Sequence, residues 1–321
     1  MNLATQDRNL LARLPMVRGR YTAHAPIGQT SWFRTGGVAE VLYKPADRDD
    51  LIEFMKGCPS DIPITYIGVC SNLIIRDGGI LGVVIRLGRD FAEVEQEDTT
   101  TLYAGAAALD MNVALTAQKF GIGALEFFSG IPGGIGGALR MNAGAYGSET
   151  VDVLVEAEAL DRDGCIHRLK PGTDMTMTYR HNNAPEEYMF LGAYFKGEVD
   201  SPELIESRIH EIKEKRAASQ PIKARTGGST FANPTAQELE EAGLPEGKKT
   251  WELIDAVGGR GLMIGGAQMS EKHCNFMINT GEASSSDLEA LGEEVRRRVQ
   301  EEFNLSLRWE IKRIGLNLDI Q

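Results

Sequence analysis

Three short segments contain side chains whose types and surroundings suit catalysis. In "RTGGSTFANP" two glycines lead into Ser229, so flexible backbone approaches a lone hydroxyl. "TYRHNNAP" contains Tyr179 and Arg180, and "LSLRWEIKRIG" contains Glu310 between basic residues. Side chains of these kinds donate protons and stabilise developing negative charge. Each segment alone also admits a bland interpretation: a turn serine or phosphate-loop hydroxyl, a surface Tyr–Arg pair, and a solvated glutamate.

Two other segments suit the binding of an anionic ligand by main-chain groups. "GALEFFSGIPGGIGGALRMNAGAYGSE" contains more glycine than a folded domain tolerates as filler, because each glycine loses much conformational entropy. In "IGVCSNLIIRDGG", Gly68 ends a strand and Ser71 and Asn72 follow in a tight turn that suits a diphosphate. Neither a G-x-G-x-x-G fingerprint nor a Walker loop is present, so the pattern indicates a large cofactor bound outside the Rossmann design. Glycine-lined turns and an ordinary strand–turn–strand are the structural alternatives.

The segments between these motifs alternate between strand and helix patterns. "AEVLYKP", "ITYIG" and "LGVVIRL" are typical of strands, and "RDDLIEFMKGC" is typical of a helix with Leu51, Phe54 and Met55 on one face. Strand-like runs also flank the glycine-rich segment: "TLYAGAA", "VLVEAEALD", "CIHRLK" and "YMFLGAYFKGEV". The sequence therefore predicts a small α/β unit followed by an α+β unit, with Tyr179 and Arg180 in a strand-like context.

A connecting helix is predicted to lead into a third unit. Ser201 can cap this helix and Pro202 fits its first turn. Its apolar residues at helical spacing are Leu204, Ile205, Ile209 and Ile212. In the third unit Thr235 and Glu238 form a predicted capping box. A later helix has one apolar stripe, predicted to be core, made of Leu288, Leu291, Val295, Val299 and Phe303.

The last segment is predicted to be a strand whose buried face excludes Glu310. Apolar residues alternate along it, at Leu305, Leu307, Trp309 and Ile311. Because successive side chains of a strand point to opposite faces, Glu310 is expected on the face opposite this apolar row.

Composition excludes several classes of function. The net charge of −12 argues against broad nucleic-acid or membrane-surface binding, and no stretch has the length of a membrane span. The cysteines are Cys58, Cys70, Cys165 and Cys274, which form no C-x-x-C pair and are expected to be reduced thiols of a cytoplasmic protein. The histidines form no H-x-x-x-H pattern, so no metal site is predicted.

The motifs, taken together and in this order, resemble those of one protein family. The chain resembles the UDP-N-acetylenolpyruvoylglucosamine reductase family, in a branch without an extra substrate-covering loop. The matching stretches are "IGVCSNLIIRDGGILGVVI", "LEFFSGIPGGIGGALRMNAGAYGSE", "YR", "GGSTFANP", "IGGAQMSEKHCNFMIN" and "RWEIKRIG". They occur in this order and span residues 30–315, nearly the whole chain.

The resemblance implies an α+β, three-domain flavoprotein with a non-Rossmann (PCMH/vanillyl-alcohol-oxidase-type) FAD-binding fold. FAD is expected between the first two domains, with the third closing over the substrate. The implied boundaries are 1–20 for an N-terminal extension, 21–90 and 91–217 for two FAD-binding subdomains, 218–304 for a substrate-binding domain, and 305–321 for a C-terminal strand that contains Glu310.

The activity implied is that of UDP-N-acetylmuramate dehydrogenase, an oxidoreductase of peptidoglycan synthesis. It is the NADPH-dependent, FAD-mediated reduction of UDP-N-acetylglucosamine enolpyruvate to UDP-N-acetylmuramate. Carried over by motif, Arg180 stabilises developing charge, Glu310 hydrogen-bonds the same group, and Ser229 protonates a carbanion-like centre. The resemblance further implies a cytoplasmic monomer that serves cell wall biogenesis, cell shape and cell division, with no nucleic-acid or membrane partner.

The binding residues follow from the same motifs. The FAD-binding candidates are Gly68, Ser71, Asn72, Leu73, Gly130, Ile131, Pro132, Gly133, Gly136, Gly137, Asn142, Gly144, Ala145 and Tyr146. The substrate-binding candidates are Tyr179, Lys223, Arg225, Asn233 and His273. Ala232 stands where many members have lysine, so one cation is missing. Lys223, Arg225, Lys248 and Lys249 are the candidate replacements.

Two alternatives remain open from the sequence. An FAD oxidase or dehydrogenase of the same non-Rossmann class, acting on an alcohol or sugar, would use another acceptor and would not need Ser229. A flavin- or nucleotide-binding regulatory module would bind its ligand without turnover. The motifs of Ser229 and Glu310 favour the reductase over the oxidase, and the regulatory module leaves Arg180, Ser229 and Glu310 without a role.

Overall fold

The structure, a computed structural model, describes residues 10–318 of the 321-residue chain. These residues form two compact units. Unit 1 comprises residues 10–24, 40–69 and 82–216, and unit 2 comprises residues 25–39, 70–81 and 217–318. The first nine residues of the predicted N-terminal extension and the last three of the predicted C-terminal strand lie outside the described residues. The two-unit division cuts across the predicted domain boundaries, which remain predictions.

The elements follow one another in the order predicted for most of the chain. The strands are β1 (Arg20–Ala25), β2 (Ala39–Lys44), β3 (Ile64–Ile67), β4 (Leu73–Ile75), β5 (Ile80–Arg86), β6 (Val94–Gln96), β7 (Thr101–Gly105), β8 (Ile122–Gly123), β9 (Gly144–Ala145), β10 (Ser148–Glu149), β11 (Leu154–Leu160), β12 (Ile166–Leu169), β13 (Met177–Thr178), β14 (His181–Asn182), β15 (Met189–Lys196), β16 (Glu198–Val199), β17 (Arg225–Ser229), β18 (Met263–Ile264), β19 (Ala267–Met269), β20 (Phe276–Asn279) and β21 (Lys312–Ile314). The α-helices are α1 (Arg48–Gly57), α2 (Asp110–Phe120), α3 (Ile135–Met141), α4 (Thr150–Val153), α5 (Pro202–Ser219), α6 (Ala236–Glu241), α7 (Thr250–Ala256) and α8 (Ser285–Phe303), with 3₁₀ turns at Gly28–Thr30, Arg89–Phe91 and Glu126–Gly130.

Unit 1 contains a four-stranded sheet in the order β1-β2-β5-β3, with β3 parallel to β5. Helix α1 begins after Asp47, whose side chain accepts the N–H of Asp50. Leu51, Phe54 and Met55 are buried, as the apolar face of the sequence predicts. The aromatic rings of Phe54 and Tyr43 lie 4.4 Å apart, so the helix packs on the sheet through this face.

A second sheet in unit 1 is antiparallel and has the order β12-β11-β15-β7-β6. Its buried side chains form a core with α2, α3 and the 3₁₀ turn Glu126–Gly130. All four strand-like runs that flank the glycine-rich segment are therefore confirmed. The glycine-rich segment itself forms the 3₁₀ turn, α3 and the β9–β10 hairpin, which places it beside this sheet's core.

Unit 2 contains an antiparallel sheet in the order β17-β20-β19-β18 and a parallel pair, β4 with β21. Helix α8 buries its predicted stripe in the core of this unit, with Phe303 partly buried. The predicted capping box at α6 is present, because Thr235 accepts the N–H of Glu238 and Glu238 accepts that of Thr235. The sequence patterns therefore locate both helices and their burial correctly.

Two local predictions are wrong. Residues 305–311 form no strand: Trp309 makes an isolated bridge to Phe231, and regular pairing begins at Lys312. Leu305, Leu307 and Ile311 are buried as expected. The alternation of apolar residues therefore predicts burial correctly, although no neighbouring strand within residues 10–318 pairs with this segment. Tyr179 and Arg180 form the turn between β13 and β14 instead of lying in a strand.

The connecting helix is present as α5, and the hydroxyl of Ser201 accepts the N–H of Leu204 at its start. Its predicted stripe is only half right. Ile205 and Ile209 are buried, whereas Leu204 is 56 % exposed.

A bilayer-crossing helix would need a longer apolar run than any helix within residues 10–318 possesses.

Candidate active site

Ser229 ends strand β17, directly after a β-bulge. Along the pairing with β20, Thr226 is opposite Ile278 and Ser229 is opposite Phe276, so β17 contains one extra residue between them. A Cβ added at Gly227 would lie 2.9 Å from a ring carbon of Phe33, which explains the need for glycine there. Because a bulge bends its strand and re-aims the next side chains, Gly227 and its neighbour set the direction of the Ser229 hydroxyl.

Glu310 is hydrogen-bonded to Thr230, the residue that follows Ser229. Its N–H donates to the carbonyl oxygen of Thr230, 2.9 Å away. Its own carbonyl oxygen accepts the side-chain amide of Asn72 at 3.0 Å, and the Asn72 carbonyl accepts the N–H of Lys312 at 3.0 Å. Unit 2 therefore brings together Ser229, Glu310 and Asn72, which the sequence places in three distant motifs.

Arg180 is positioned in unit 1 by a tight turn. Its φ of 56° lies in the left-handed region, which is uncommon for a residue with a side chain. The guanidinium lies 4.8 Å from the centroid of the Tyr179 ring, and Nη2 donates to the carbonyl of Gly144 at 3.2 Å. The predicted catalytic arginine is thus in direct contact with a predicted FAD-binding glycine.

Asn142 strengthens the link between this turn and the glycine-rich segment. It is fully buried and ends α3 with a φ of 43°. Its Nδ2 donates to the Glu149 carboxylate at 2.9 Å and to the Thr178 carbonyl at 3.1 Å, and its Oδ1 accepts the N–H of Val151 at 3.0 Å. The position predicted as a cofactor contact therefore has a clear structural role in joining β13 to the β9–β10 hairpin.

The glycine-rich segment is hydrogen-bonded to the first residue of α2 and to the chain just before it, and some of its N–H groups have no partner among the described residues. The carbonyl of Gly133 accepts the N–H of Asp110 at 3.2 Å, and the N–H of Gly136 donates to Ala106 at 2.9 Å. The N–H groups of Gly133 and Gly134 donate to no group within residues 10–318. A Cβ at Gly137 would have no atom within 4 Å. Adjacent N–H groups without a partner, one turn from open space, suit an anionic ligand.

Asp110 is a buried acid that the sequence did not single out. Both its carboxylate oxygens are buried without a hydrogen-bond partner in the described chain. Burial raises the pKa of Asp110 well above its usual range. No local pattern indicates this burial, because an aspartate at the start of a helix is usually exposed.

The remaining predicted FAD-binding residues divide between the units. Gly68 follows β3 in unit 1, and Ser71 and Leu73 lie in the turn before β4 and at its start, in unit 2. The others belong to the glycine-rich segment of unit 1, namely Gly130, Ile131, Pro132, Ala145 and Tyr146. A Cβ at Gly130 would lie 2.7 Å from the Tyr146 ring, so glycine allows these two residues to pack closely.

The predicted substrate-binding residues of unit 2 lie near the Ser229 strand and the elements that pack on it. Arg225 begins β17, and the exposed Lys223 lies in the turn before it. His273 Nδ1 accepts the N–H of Asn275 at 3.4 Å, so the neutral ring has its proton on Nε2, available to a ligand. Burial lowers the pKa of His273, which favours this neutral form. Tyr179 alone belongs to unit 1.

Ala232 is buried, and both its N–H and its carbonyl group are hydrogen-bonded. Its N–H donates to Arg308, and its carbonyl accepts the Thr250 hydroxyl at 2.7 Å. The N–H of Thr250 also donates to Asn233 Oδ1 at 3.2 Å, which ties the start of α7, and with it Lys249, to this segment. Sequence reasoning missed Arg308, whose Nη2 donates to the Asn233 carbonyl at 3.2 Å.

Comparison with known proteins shows which family the chain belongs to. An FAD binding domain family matches residues 39–170, and the C-terminal domain family of UDP-N-acetylenolpyruvoylglucosamine reductase matches residues 220–314. The reductase of Parvibaculum lavamentivorans is 56 % identical over 316 residues, 98 % of each chain. The chain belongs to the UDP-N-acetylenolpyruvoylglucosamine reductase family. The enzyme of that name from Rhodospirillum rubrum is 53 % identical, over 97 % of this chain and 95 % of the relative.

The solved reductase structure from Thermus caldophilus has a TM-score of 0.75 at 29 % identity, covering 94 % of this chain and 100 % of that one. The predicted α+β, non-Rossmann flavoprotein fold is confirmed, and the chain is an oxidoreductase of peptidoglycan synthesis with an FAD-binding domain. The unused N–H groups of Gly133 and Gly134, beside the open face at Gly137, fit the diphosphate and flat ring system of FAD.

Proposed function

We propose that the chain catalyses the NADPH-dependent, FAD-mediated reduction of UDP-N-acetylglucosamine enolpyruvate to UDP-N-acetylmuramate. The observation that supports this most is the joining of Glu310 to Thr230, the residue next to Ser229, by a main-chain hydrogen bond of 2.9 Å. A hydroxyl and a carboxyl held on one rigid scaffold are suited to protonating and binding the same substrate group. An oxidase of the same flavin class would have no use for this pair.

The reduction adds a hydride and a proton across the enolpyruvyl C=C bond. The chemistry supplied by bound FAD is hydride transfer, from NADPH to the terminal enolpyruvyl carbon. Negative charge then develops on the adjacent carbon and in the carboxylate conjugated to it. Ser229 delivers its hydroxyl proton to that carbon, which is basic enough to accept a proton from a weak acid. Ser229 therefore needs correct placement and no lowered pKa.

Arg180 and Glu310 act on the carboxylate side of the substrate. A guanidinium stabilises the developing charge best when water is excluded and its position is fixed beforehand. The hydrogen bond from Arg180 to Gly144 and the contact with the Tyr179 ring support such a fixed position. Glu310 is assigned a hydrogen bond to the same carboxylate.

The anionic ligands are bound by local donors, because the chain as a whole has a net charge of −12. For the UDP group we assign Lys223, Arg225, Asn233 and the Nε2–H of His273, with Tyr179 from unit 1. Lys249, beside the Thr250 that bonds Asn233, supplies the cation that Ala232 cannot. The assigned setting is a cytoplasmic monomer without nucleic-acid or membrane partners, and the acidic charge supports the last part of this assignment.

The test is a turnover assay on the purified, full-length protein. It should be yellow, and its oxidation of NADPH should depend on added UDP-N-acetylglucosamine enolpyruvate. UDP-N-acetylglucosamine, which lacks the enolpyruvyl group, is the matched control and should give no oxidation. A colourless protein, or NADPH oxidation that ignores the enolpyruvyl group, would exclude the proposed reaction.

A further inference from the structure

Asn275 makes three hydrogen bonds to the two residues that follow Ser229. Its Oδ1 accepts the N–H of Phe231 at 3.1 Å, and its Nδ2 donates to the carbonyl of Phe231 at 2.9 Å. Its own carbonyl accepts the N–H of Thr230 at 2.7 Å. The residue is 4 % exposed, so these bonds form away from competing water.

These bonds continue the pattern of strand pairing beyond the residue at which the pairing of β17 with β20 ends. The pairing of β17 with β20 stops at Ser229 opposite Phe276, after the bulge. Beyond that point the side-chain amide of Asn275 offers one acceptor and one donor, as a neighbouring strand would. On this side, Asn275 therefore continues the pairing of the chain after the bulge.

Thr230 and Phe231, which are bonded to Asn275, also contact the segment that contains Glu310. Thr230 accepts the N–H of Glu310 at 2.9 Å, and Phe231 forms the isolated bridge to Trp309. Thr230 and Phe231 thus lie between Asn275 and the segment that contains Glu310. Any displacement of them moves the Ser229 hydroxyl and the Glu310 carboxyl relative to each other.

We propose that Asn275 is a positioning residue for proton delivery, which holds Ser229 at the end of its bulged strand and keeps it aligned with Glu310. This inference rests on the proposed function, because it assigns Asn275 a role in one half of that reaction. Asn275 itself needs no contact with substrate or cofactor. Its removal should slow reduction of the substrate and leave reduction of the flavin by NADPH unchanged.

Asn279 is a matched control on the same strand. It is also buried, and its side chain makes three bonds to backbone groups, where the side chain of Asn275 makes two: Nδ2 donates to Phe33, and Oδ1 accepts from Gly281 and Ala283. None of these partners is hydrogen-bonded to Thr230 or Phe231, the two residues that Asn275 holds. Asn279→Ala therefore removes at least as many buried side-chain bonds as Asn275→Ala, and a general loss of stability would affect both variants.

The experiment measures the two half-reactions separately by stopped-flow absorbance of the FAD-loaded protein, in the parent chain, Asn275→Ala, Asn279→Ala and Ser229→Ala. Amide hydrogen exchange of the peptide containing Phe231 and the melting temperature are recorded for each. Asn275→Ala should slow oxidation of the reduced flavin by substrate about 100-fold, the cost of a misplacement near 1 Å. It should also expose the Phe231 amide to exchange and leave flavin reduction as in the parent.

Equal slowing of both half-reactions in Asn275→Ala, no slowing, or the same pattern in Asn279→Ala would overturn the inference. If Asn275→Ala does not fold, Asn275→Asp replaces it. That variant keeps the acceptor for Phe231 but loses the donor, and it should slow only the substrate half-reaction. Loss of substrate-dependent oxidation in the parent itself would instead overturn the proposed function, and the inference with it.

Discussion

The N–H of Glu310 donates a hydrogen bond to the carbonyl of Thr230, so the carboxyl-bearing residue and the neighbour of Ser229 share one peptide scaffold. Asn72 extends this scaffold by donating to the Glu310 carbonyl at 3.0 Å. The main-chain bonds hold the backbone of Glu310 and the backbone next to Ser229 in fixed relative positions, without a hydrogen bond between the two side chains.

Gly137→Ala should separate protein stability from cofactor binding. The position is inside α3 and has no atom within 4 Å of an added Cβ, so the apo-protein should gain up to about 1 kcal/mol of helix stability. If FAD occupies the open space there, the methyl group should weaken FAD binding. Melting of the apo-protein and FAD titration by fluorescence measure the two effects.

Gly88→Ala is the control for this substitution, because that glycine also has open space and lies outside the glycine-rich segment. It should leave FAD affinity unchanged. Unaltered FAD affinity in Gly137→Ala would mean that the cofactor does not lie against this face of α3.

Asp110→Asn should stabilise the protein increasingly as pH rises. Burial raises the pKa of Asp110, so the folded chain retains a proton that the unfolded chain releases above about pH 3.9. Stability is therefore lost as pH rises from that value towards the folded-state pKa. The gain from the substitution should approach about 1.4 kcal/mol for each unit of difference between the two pKa values.

Urea unfolding of both proteins from pH 4 to pH 8 measures this difference. Asp163→Asn, at an exposed position, is the control and should show no comparable trend. A stability difference between Asp110→Asn and the parent that stays constant over this range would contradict a buried, protonated Asp110.

Arg180→Lys should impair chemistry while leaving the flavin bound. Lysine keeps the positive charge but loses the planar fork that donates to Gly144 and covers the Tyr179 ring. We expect kcat for substrate reduction to fall by about 100-fold or more, the effect of losing one preorganised donor. Arg168→Lys, at an exposed site of the same unit, should change neither rate nor flavin spectrum. Unchanged kcat in Arg180→Lys would remove Arg180 from the catalytic set.

Local signals in the sequence were enough to predict most helices and strands. Caps such as Thr235 with Glu238 and apolar stripes such as that of α8 depend on residues close in sequence, and both are confirmed. The alternation at Leu305, Leu307 and Ile311 shows the limit of such signals. It correctly predicted which side chains are buried, but a strand also needs a partner, and the partner is distant in sequence.

The site depends on distant contacts that periodicity does not report. The motif resemblance selected Ser229 and Glu310, but the bond between Glu310 and Thr230 is visible only in the fold. The bulge before Ser229 and the bonds from Asn275 arise from the register of β17 against β20, which no single segment encodes. Asp110 was missed for the same reason, since only tertiary packing decides that its carboxyl is buried.

The most direct test of the central claim is the pair of half-reactions in Ser229→Ala. Flavin reduction by NADPH should equal that of the parent, and oxidation of the reduced flavin by UDP-N-acetylglucosamine enolpyruvate should slow by about 10²- to 10⁴-fold, the contribution of a positioned general acid. Ser306→Ala, at an exposed position of the same unit, is the control and should match the parent in both. Loss of the first half-reaction, or normal speed in the second, would contradict Ser229 as the proton donor.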